Sequence, residues 1–222
     1  SYWHNKVLVH GDPKYLPLLS DRVRMHNPSE IIDNLKDKII YTGYVCNEKL
    51  KPYKKENNHI FVSTGLNKEE GMLIFKEITK IASQFPDYKF IMPIANRYLK
   101  NIKSKTKDNV VMVPFIEDMY KLLSSCSLYI TYGGYNSTME ILKSGIPAII
   151  IPRDDGEKQE QFIRATTLKP YDFFKVCYKV DFKTLPKIIK SVLNNTNYPN
   201  ANKINLNGAK ISSNEILKTY NG

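Results

Sequence analysis

The chain has 222 residues, 33 Lys and Arg against 22 Asp and Glu, a net charge of +11, and 42% hydrophobic residues. That length suits one substantial α/β domain with an appendage, or two small domains. The three cysteines, Cys46, Cys126 and Cys177, are odd in number and have no C-x-x-C spacing, which argues for a reduced setting over a disulfide framework. No apolar run approaches the ~20 residues that a membrane-spanning helix needs, the N-terminal stretch lacks a signal-peptide core, and the four histidines show no metal-ligand spacing.

Taken in order, Lys6 to His10 reads as a short strand that runs into the turn triplet Gly11-Asp12-Pro13. Lys38 to Val45 reads as a second extended run. Cys46 to Asn58 is polar and charged, as in a linker. The expected division is therefore residues 1–45 as the end of an N-terminal domain, 46–58 as linker, 59–195 as the main domain, and 196–222 as a loop and terminal helix over Ala209–Tyr220. From His59 the pattern becomes regular. Strands are expected at 59–63, 89–94, 109–115, 128–130, 148–151 and 175–180, and helices at 69–85, 98–105, 117–126, 137–144, 159–169 and 185–193. Six strands alternating with helices predict an α/β fold with a doubly wound parallel sheet, Rossmann-like, whose ligands sit at the carboxyl ends of the strands.

The most informative stretch is Ser127 to Pro152. It reads strand, Gly133-Gly134, helix, Gly145-Ile146-Pro147, strand. Ser137-Thr138-Met139-Glu140 has the S-x-x-E form of a capping box, which starts the helix at Ser137. Gly145 occupies the position of a left-handed C-cap. A strand, a glycine turn and a helix start together direct backbone N–H groups and a helix dipole at one spot, which suits a phosphate. The net charge reads as a lysine-rich surface with attraction to anionic lipid or a phosphorylated substrate as the functional alternative; no nucleic-acid motif accompanies it.

These motifs resemble a known family. Pro114-Phe115-Ile116-Glu117-Asp118-Met119, Tyr132 to Glu140, Gly145-Ile146-Pro147 to Ile151-Pro152, and Glu160-Gln161 with Ala165 resemble the donor-binding, C-terminal half of GT-B glycosyltransferases. The nearest likeness is to family 28, which includes the bacterial enzyme that adds GlcNAc to lipid I. The resemblance implies a transferase module that binds a nucleotide-diphosphate sugar, UDP-linked, and needs no cofactor or metal. Glu140 would accept hydrogen bonds from the ribose hydroxyls. Gly133 and Gly134, with the amides of Asn136 and Ser137, would face the diphosphate, Phe115 and Ile116 would flank the base, and Glu160 and Gln161 would bond the sugar.

Ser63-Thr64-Gly65 stands where the family often has a glycine-rich loop, and here only Gly65 and, later, Gly71 are present. Asp154-Asp155 reads as a solvated pair. No catalytic base is assigned, because His10 and Asp12 lie in the N-terminal segment and suit a turn. The family's acceptor site belongs to an N-terminal domain. The chain is therefore expected to act with such a domain or with a partner subunit, as in the two-subunit GlcNAc-transferase of dolichol-linked glycan synthesis. The implied setting is cytoplasmic, with a lipid-linked acceptor and peripheral membrane association. A UDP-GlcNAc 2-epimerase-like isomerase and a non-catalytic basic binding domain remain as alternatives.

Overall fold

A strand buried on both faces cannot alternate apolar with polar residues, and Ile60, Phe61 and Val62 are at most 1% exposed, as are Leu128, Tyr129 and Ile130. The computed structural model describes residues 6–13, 36–63, 69–94, 107–153, 159–195 and 204–220. The expected helix over 98–105, Gly65 and Asp154-Asp155 lie outside them. Contacts divide the chain into two compact units, one of residues 48–201 and one of residues 1–47 with 202–222.

In the larger unit the elements are β3 (His59–Ser63), α1 (Glu69–Ile81), β4 (Lys89–Pro93), β5 (Val110–Val113), α2 (Met119–Ser125), β6 (Leu128–Thr131), α3 (Tyr135–Ser144), β7 (Ala148–Ile150), α4 (Gln159–Leu168), β8 (Lys175–Val176) and α5 (Thr184–Asn194). The strand order is β5-β4-β3-β6-β7-β8, and every pairing is parallel. This is the doubly wound order. Its reversal lies between β3 and β6, where Ser63 is the register partner of Thr131.

One face of the sheet carries Ile60, Val62, Leu128, Ile130 and Ile149, packed with Ile74 and Ile78 of α1 and Leu185, Ile189 and Val192 of α5. The intervening residues project the other way, and there Phe61 stacks on Tyr129 with ring centroids 5.2 Å apart. Burial pushes the Cys126 thiol up to about 12 and the Cys177 thiol up to about 11, so both behave as small apolar residues. The segment expected as a linker is tied down: Tyr53 N–H donates to Ser144 O at 2.7 Å and Lys54 N–H to Ser124 O at 2.8 Å.

Several elements differ in extent from the sequence expectation. The expected strand 175–180 is only Lys175–Val176. β8 pairs on one side alone, and beyond the Cys177 N–H to Ile150 O bond of 2.8 Å the chain turns away to start α5. The expected strand 109–115 ends at Val113. The helix expected to run to Phe85 becomes a 3-10 turn over Ala82–Gln84.

In the smaller unit, β1 (Val7–Val9) and β2 (Ile39–Tyr41) form a parallel pair. The segment expected to stay extended to Val45 leaves the strand at Tyr41, because Gly43 takes φ +81°. The terminal helix α6 (Gly208–Tyr220) belongs to this unit, through Gly208 N–H to Tyr44 O at 2.9 Å and a Lys6–Glu215 ion pair at 3.0 Å. His10 Nδ1 lies 3.0 Å from Thr42 Oγ1, a local bond beside the turn.

Candidate nucleotide-sugar site

β6 ends at Thr131, and the carboxyl end of the sheet passes through Tyr132-Gly133-Gly134 into α3. Gly133 has φ +72°, and a Cβ there would stand 2.6 Å from Cγ2 of buried Ile150. Only glycine permits this turn. Gly134 is different: its φ is −57° and a Cβ would meet nothing within 4 Å. Gly133 shapes the turn, whereas Gly134 leaves an open face.

The helix start differs from the sequence expectation. Its N-cap is Gly134, and α3 begins at Tyr135, so Ser137 is the third helical residue and the Ser137–Glu140 capping box does not form. The first intrahelical bond runs from Thr138 N–H to Gly134 O at 2.9 Å. The amides of Asn136 and Ser137 therefore have no intrahelical acceptor, and among the described residues no side chain caps them. Thr138 turns its hydroxyl back to Gly133 O at 3.1 Å, while Ser137 Oγ receives the Tyr129 hydroxyl at 3.1 Å. The far end follows the expectation, with Gly145 as a left-handed C-cap at φ 73°.

Glu140 lies one turn beyond Ser137. Burial raises its carboxyl to about 7, and among the described residues no ion pair holds it. Tyr129 is likewise pushed up, first by burial, with the Glu140 charge adding to the effect. The two groups thus form one partly dry cluster at the carboxyl end of β6.

Two arginines flank the turn, and both escape a reading of the sequence. Arg164 of α4 is 5% exposed, donates from Nη1 to Gly133 O at 3.1 Å, and pairs through Nη2 with Glu160. The Arg153 guanidinium sits over the Tyr132 ring at 4.0 Å from its centroid. Glu160 four residues before Arg164 is a visible i,i+4 pair. The link from Arg164 to Gly133 spans 31 positions and exists only in the fold.

Of the expected site residues, Gly133, Gly134, Asn136, Ser137 and Glu140 are assembled at β6–α3, and Arg164 brings Glu160 beside them. Gln161 is half-buried, with an Oε1 that has no hydrogen-bond partner among the described residues. Phe115 is 73% exposed and Ile116 half-buried, just past the carboxyl end of β5.

Residues 44–216 match the profile of the glycosyltransferase family 28 C-terminal domain. A UDP-glucosyltransferase of Bacillus subtilis strain 168 described as uncharacterised, YojK, is 26% identical over 143 residues, covering 64% of this chain and 34% of that protein. A UDP-N-acetylglucosamine–N-acetylmuramyl-(pentapeptide) pyrophosphoryl-undecaprenol N-acetylglucosamine transferase of Lacticaseibacillus casei strain BL23 is 31% identical over 85 residues, 37% of this chain and 23% of that one. The chain thus spans about a third or less of these relatives.

Among solved structures, the glycotransferase of kitacinnamycin superposes with a TM-score of 0.61 at 14% identity, covering 94% of this chain and 49% of that one. The spinosyn rhamnosyltransferase SpnG complexed with thymidine diphosphate gives 0.59 at 15% identity, covering 95% and 55%. MurG of Acinetobacter baumannii gives 0.57 at 15% identity, covering 73% and 54%. At such identities the likeness concerns the fold, which is that of the GT-B glycosyltransferases. These matches do not favour the isomerase or the non-catalytic reading. With the family profile running across most of the chain, from the end of β2 to the last helix, the chain belongs to glycosyltransferase family 28 and carries its C-terminal domain.

Proposed function

We propose that this chain is the donor-binding half of a glycosyltransferase that uses a nucleoside-diphosphate sugar, with UDP as the nucleotide. The observation that carries the reading is the uncapped start of α3, which opens beside the clear face of Gly134 and is flanked by Arg153 and Arg164. A helix dipole, free amides and nearby guanidinium groups favour a diphosphate, both bound and as a leaving group.

In this proposal the amides of Gly134, Asn136 and Ser137 hold the diphosphate and Gly133 shapes the turn. Glu140 accepts from the ribose hydroxyls, and Phe115 and Ile116 flank the base. Glu160 is committed to Arg164, so Gln161 takes the leading role toward the sugar. The names of the Bacillus and Lacticaseibacillus relatives support UDP as the nucleotide, and the latter supports a lipid-linked acceptor. The acceptor and its base are assigned to an N-terminal domain or partner subunit. The proposed setting is cytoplasmic and peripheral to the membrane; among the described residues no helix is long and apolar enough to cross it.

A thermal-shift series with UDP, TDP, GDP and the corresponding sugars tests the reading. A ligand at 100 times its Kd that binds only the folded chain adds about 2.7 kcal/mol to stability. UDP is expected to raise Tm most, and no shift with any nucleoside diphosphate at millimolar concentration would sink the proposal. The chain alone is expected to bind donor without transferring sugar to a polyprenyl-linked acceptor, because a displacement needs the acceptor hydroxyl held in line.

A further inference from the structure

Away from the β6–α3 turn, the end of α4, strand β8 and α5 enclose an open cavity of about 350 Å³. Its walls include Phe174, Val176 and Ile188, and Lys169, Lys175 and Lys187 line it as well. We propose that this face docks on the surface of an anionic lipid bilayer. The proposal deepens the reading of a lipid-linked acceptor, but its residues are separate from the donor site, so the two can fail independently.

Charge is the first argument. Residues 169–190 hold six lysines against two aspartates, a net +4 in 22 residues. Asp172 is paired with Lys175 at 2.5 Å, and Asp181 lies 3.5 Å from Lys179 and accepts the amides at the start of α5. The remaining lysines face solvent with no acidic partner among the described residues.

Two exposed aromatic rings are the second argument. Tyr178 is 50% exposed and Phe182 57%. The Lys169 ammonium lies 5.3 Å from the Tyr178 ring centroid, and that of Lys183 lies 5.7 Å from the Phe182 centroid. Lys169, whose ammonium lies beside the Tyr178 ring, lines the cavity, as does Lys187, one helical turn from the Lys183 that lies beside the Phe182 ring. Apolar rings with lysine heads beside them match the boundary between acyl chains and headgroups. Lysines near such a surface are attracted to anionic lipid.

Protection of a sheet edge explains less. A two-residue edge strand bearing one lysine is already a poor template for pairing, and exposed aromatics would only weaken that protection. A nucleic acid would use the lysines and could stack on the rings, but it has no use for an apolar cavity.

The test is flotation of the full chain with phosphatidylcholine vesicles, with and without about 30 mol% phosphatidylglycerol. Binding is expected only to the anionic vesicles. Lys169→Gln/Lys175→Gln/Lys187→Gln should weaken it by about tenfold or more, whereas Lys51→Gln/Lys54→Gln/Lys55→Gln, an equal charge change on another segment, should cost under about threefold. A Phe182→Trp reporter should shift to shorter emission wavelengths on the anionic vesicles. Equal losses in the two triple variants, an unmoved reporter, absence of vesicle binding, or displacement from vesicles by single-stranded RNA at equal phosphate would each overturn the proposal. The shift in Tm with UDP, measured on the same variants, reports folding and the donor site. Vesicle binding without any UDP shift in the parent chain would reject the donor reading and leave this one standing.

Discussion

Two helices of the same sheet begin in opposite ways. At the start of α5, Asp181 Oδ1 accepts from the amides of Lys183 at 2.9 Å and Thr184 at 2.6 Å, and these bonds hold its carboxyl down at about 2. At the start of α3 no side chain among the described residues accepts from the amides of Asn136 or Ser137, and the residue in the capping position is a glycine whose Cβ would meet nothing within 4 Å. Orphan amides at a helix start are normally satisfied by a side chain, by water or by a ligand. α5 carries its own anion. α3 leaves the place open at the switch point of the sheet, where doubly wound folds bind ligands.

The comparison can be broken hardest at Gly133. Gly133→Ala puts a side chain on a left-handed backbone and drives a Cβ to 2.6 Å from Ile150, a stiff β-branched residue in a buried strand. Strain and overpacking together should cost about 2–5 kcal/mol. At roughly 2–4 °C per kcal/mol for a chain of this size, the fall in Tm is plain in a thermal scan. Stability within error of the parent would mean that the turn is not held as described.

Gly134 should answer differently. Gly134→Asp makes α3 resemble α5, since the new carboxylate can cap the helix and nothing obstructs its Cβ. Tm should hold or rise, and UDP affinity should fall by more than about tenfold, because a fixed charge occupies the place of the diphosphate and charged hydrogen bonds are worth roughly 1.5–3 kcal/mol. Titration calorimetry reads this directly. A capped variant that still binds UDP at parental affinity would remove the α3 start from the site.

A smaller effect belongs to Glu140. Its carboxyl is raised to about 7 by burial, so between its ordinary value and 7 the folded chain holds more protons than the unfolded one. Stability therefore falls as pH rises through that window. Ribose hydroxyls favour the ionised form, so UDP affinity should move the other way and rise about tenfold from pH 6 to pH 8, with a proton released on binding. Glu140→Gln should flatten both profiles. Binding that is independent of pH in the parent would detach Glu140 from the ribose.

Much of this arrangement is legible in the sequence because parallel strands are buried on both faces and read as unbroken apolar runs. HIFVS, LYI and AIII need no neighbour to be recognised, and the Gly133-Gly134 and Gly145 breaks set the order of elements. The S-x-x-E pattern is local and puts the start of α3 two residues too late. The actual start is set by the packing of Gly133 against Ile150 and by Arg164, contacts made across 17 and 31 positions. The roles of Arg164 and Tyr129 have no sequence signal for the same reason, since a buried arginine and a strand tyrosine show their partners only after folding. The shift of Glu140 comes from its surroundings and has no sequence signal.

The smallest effect tests the other helix. The carboxyl of Asp181 is held below its ordinary value, at about 2, chiefly by the Thr184 amide. A carboxyl depressed in the folded chain contributes stability that is fully present above its unfolded pKa and is lost as pH falls through the folded value. Asp181→Asn keeps an acceptor at the start of α5 and removes only the charge. The parent should therefore be the more stable of the two in urea from neutral pH down to about 4, and the gap should close as the pH falls towards 2. UDP affinity should not change, because α5 already holds its own anion. A gap that stays constant across this range would place the contribution elsewhere than in the carboxylate, and weaker UDP binding would end the distinction between the two helix starts.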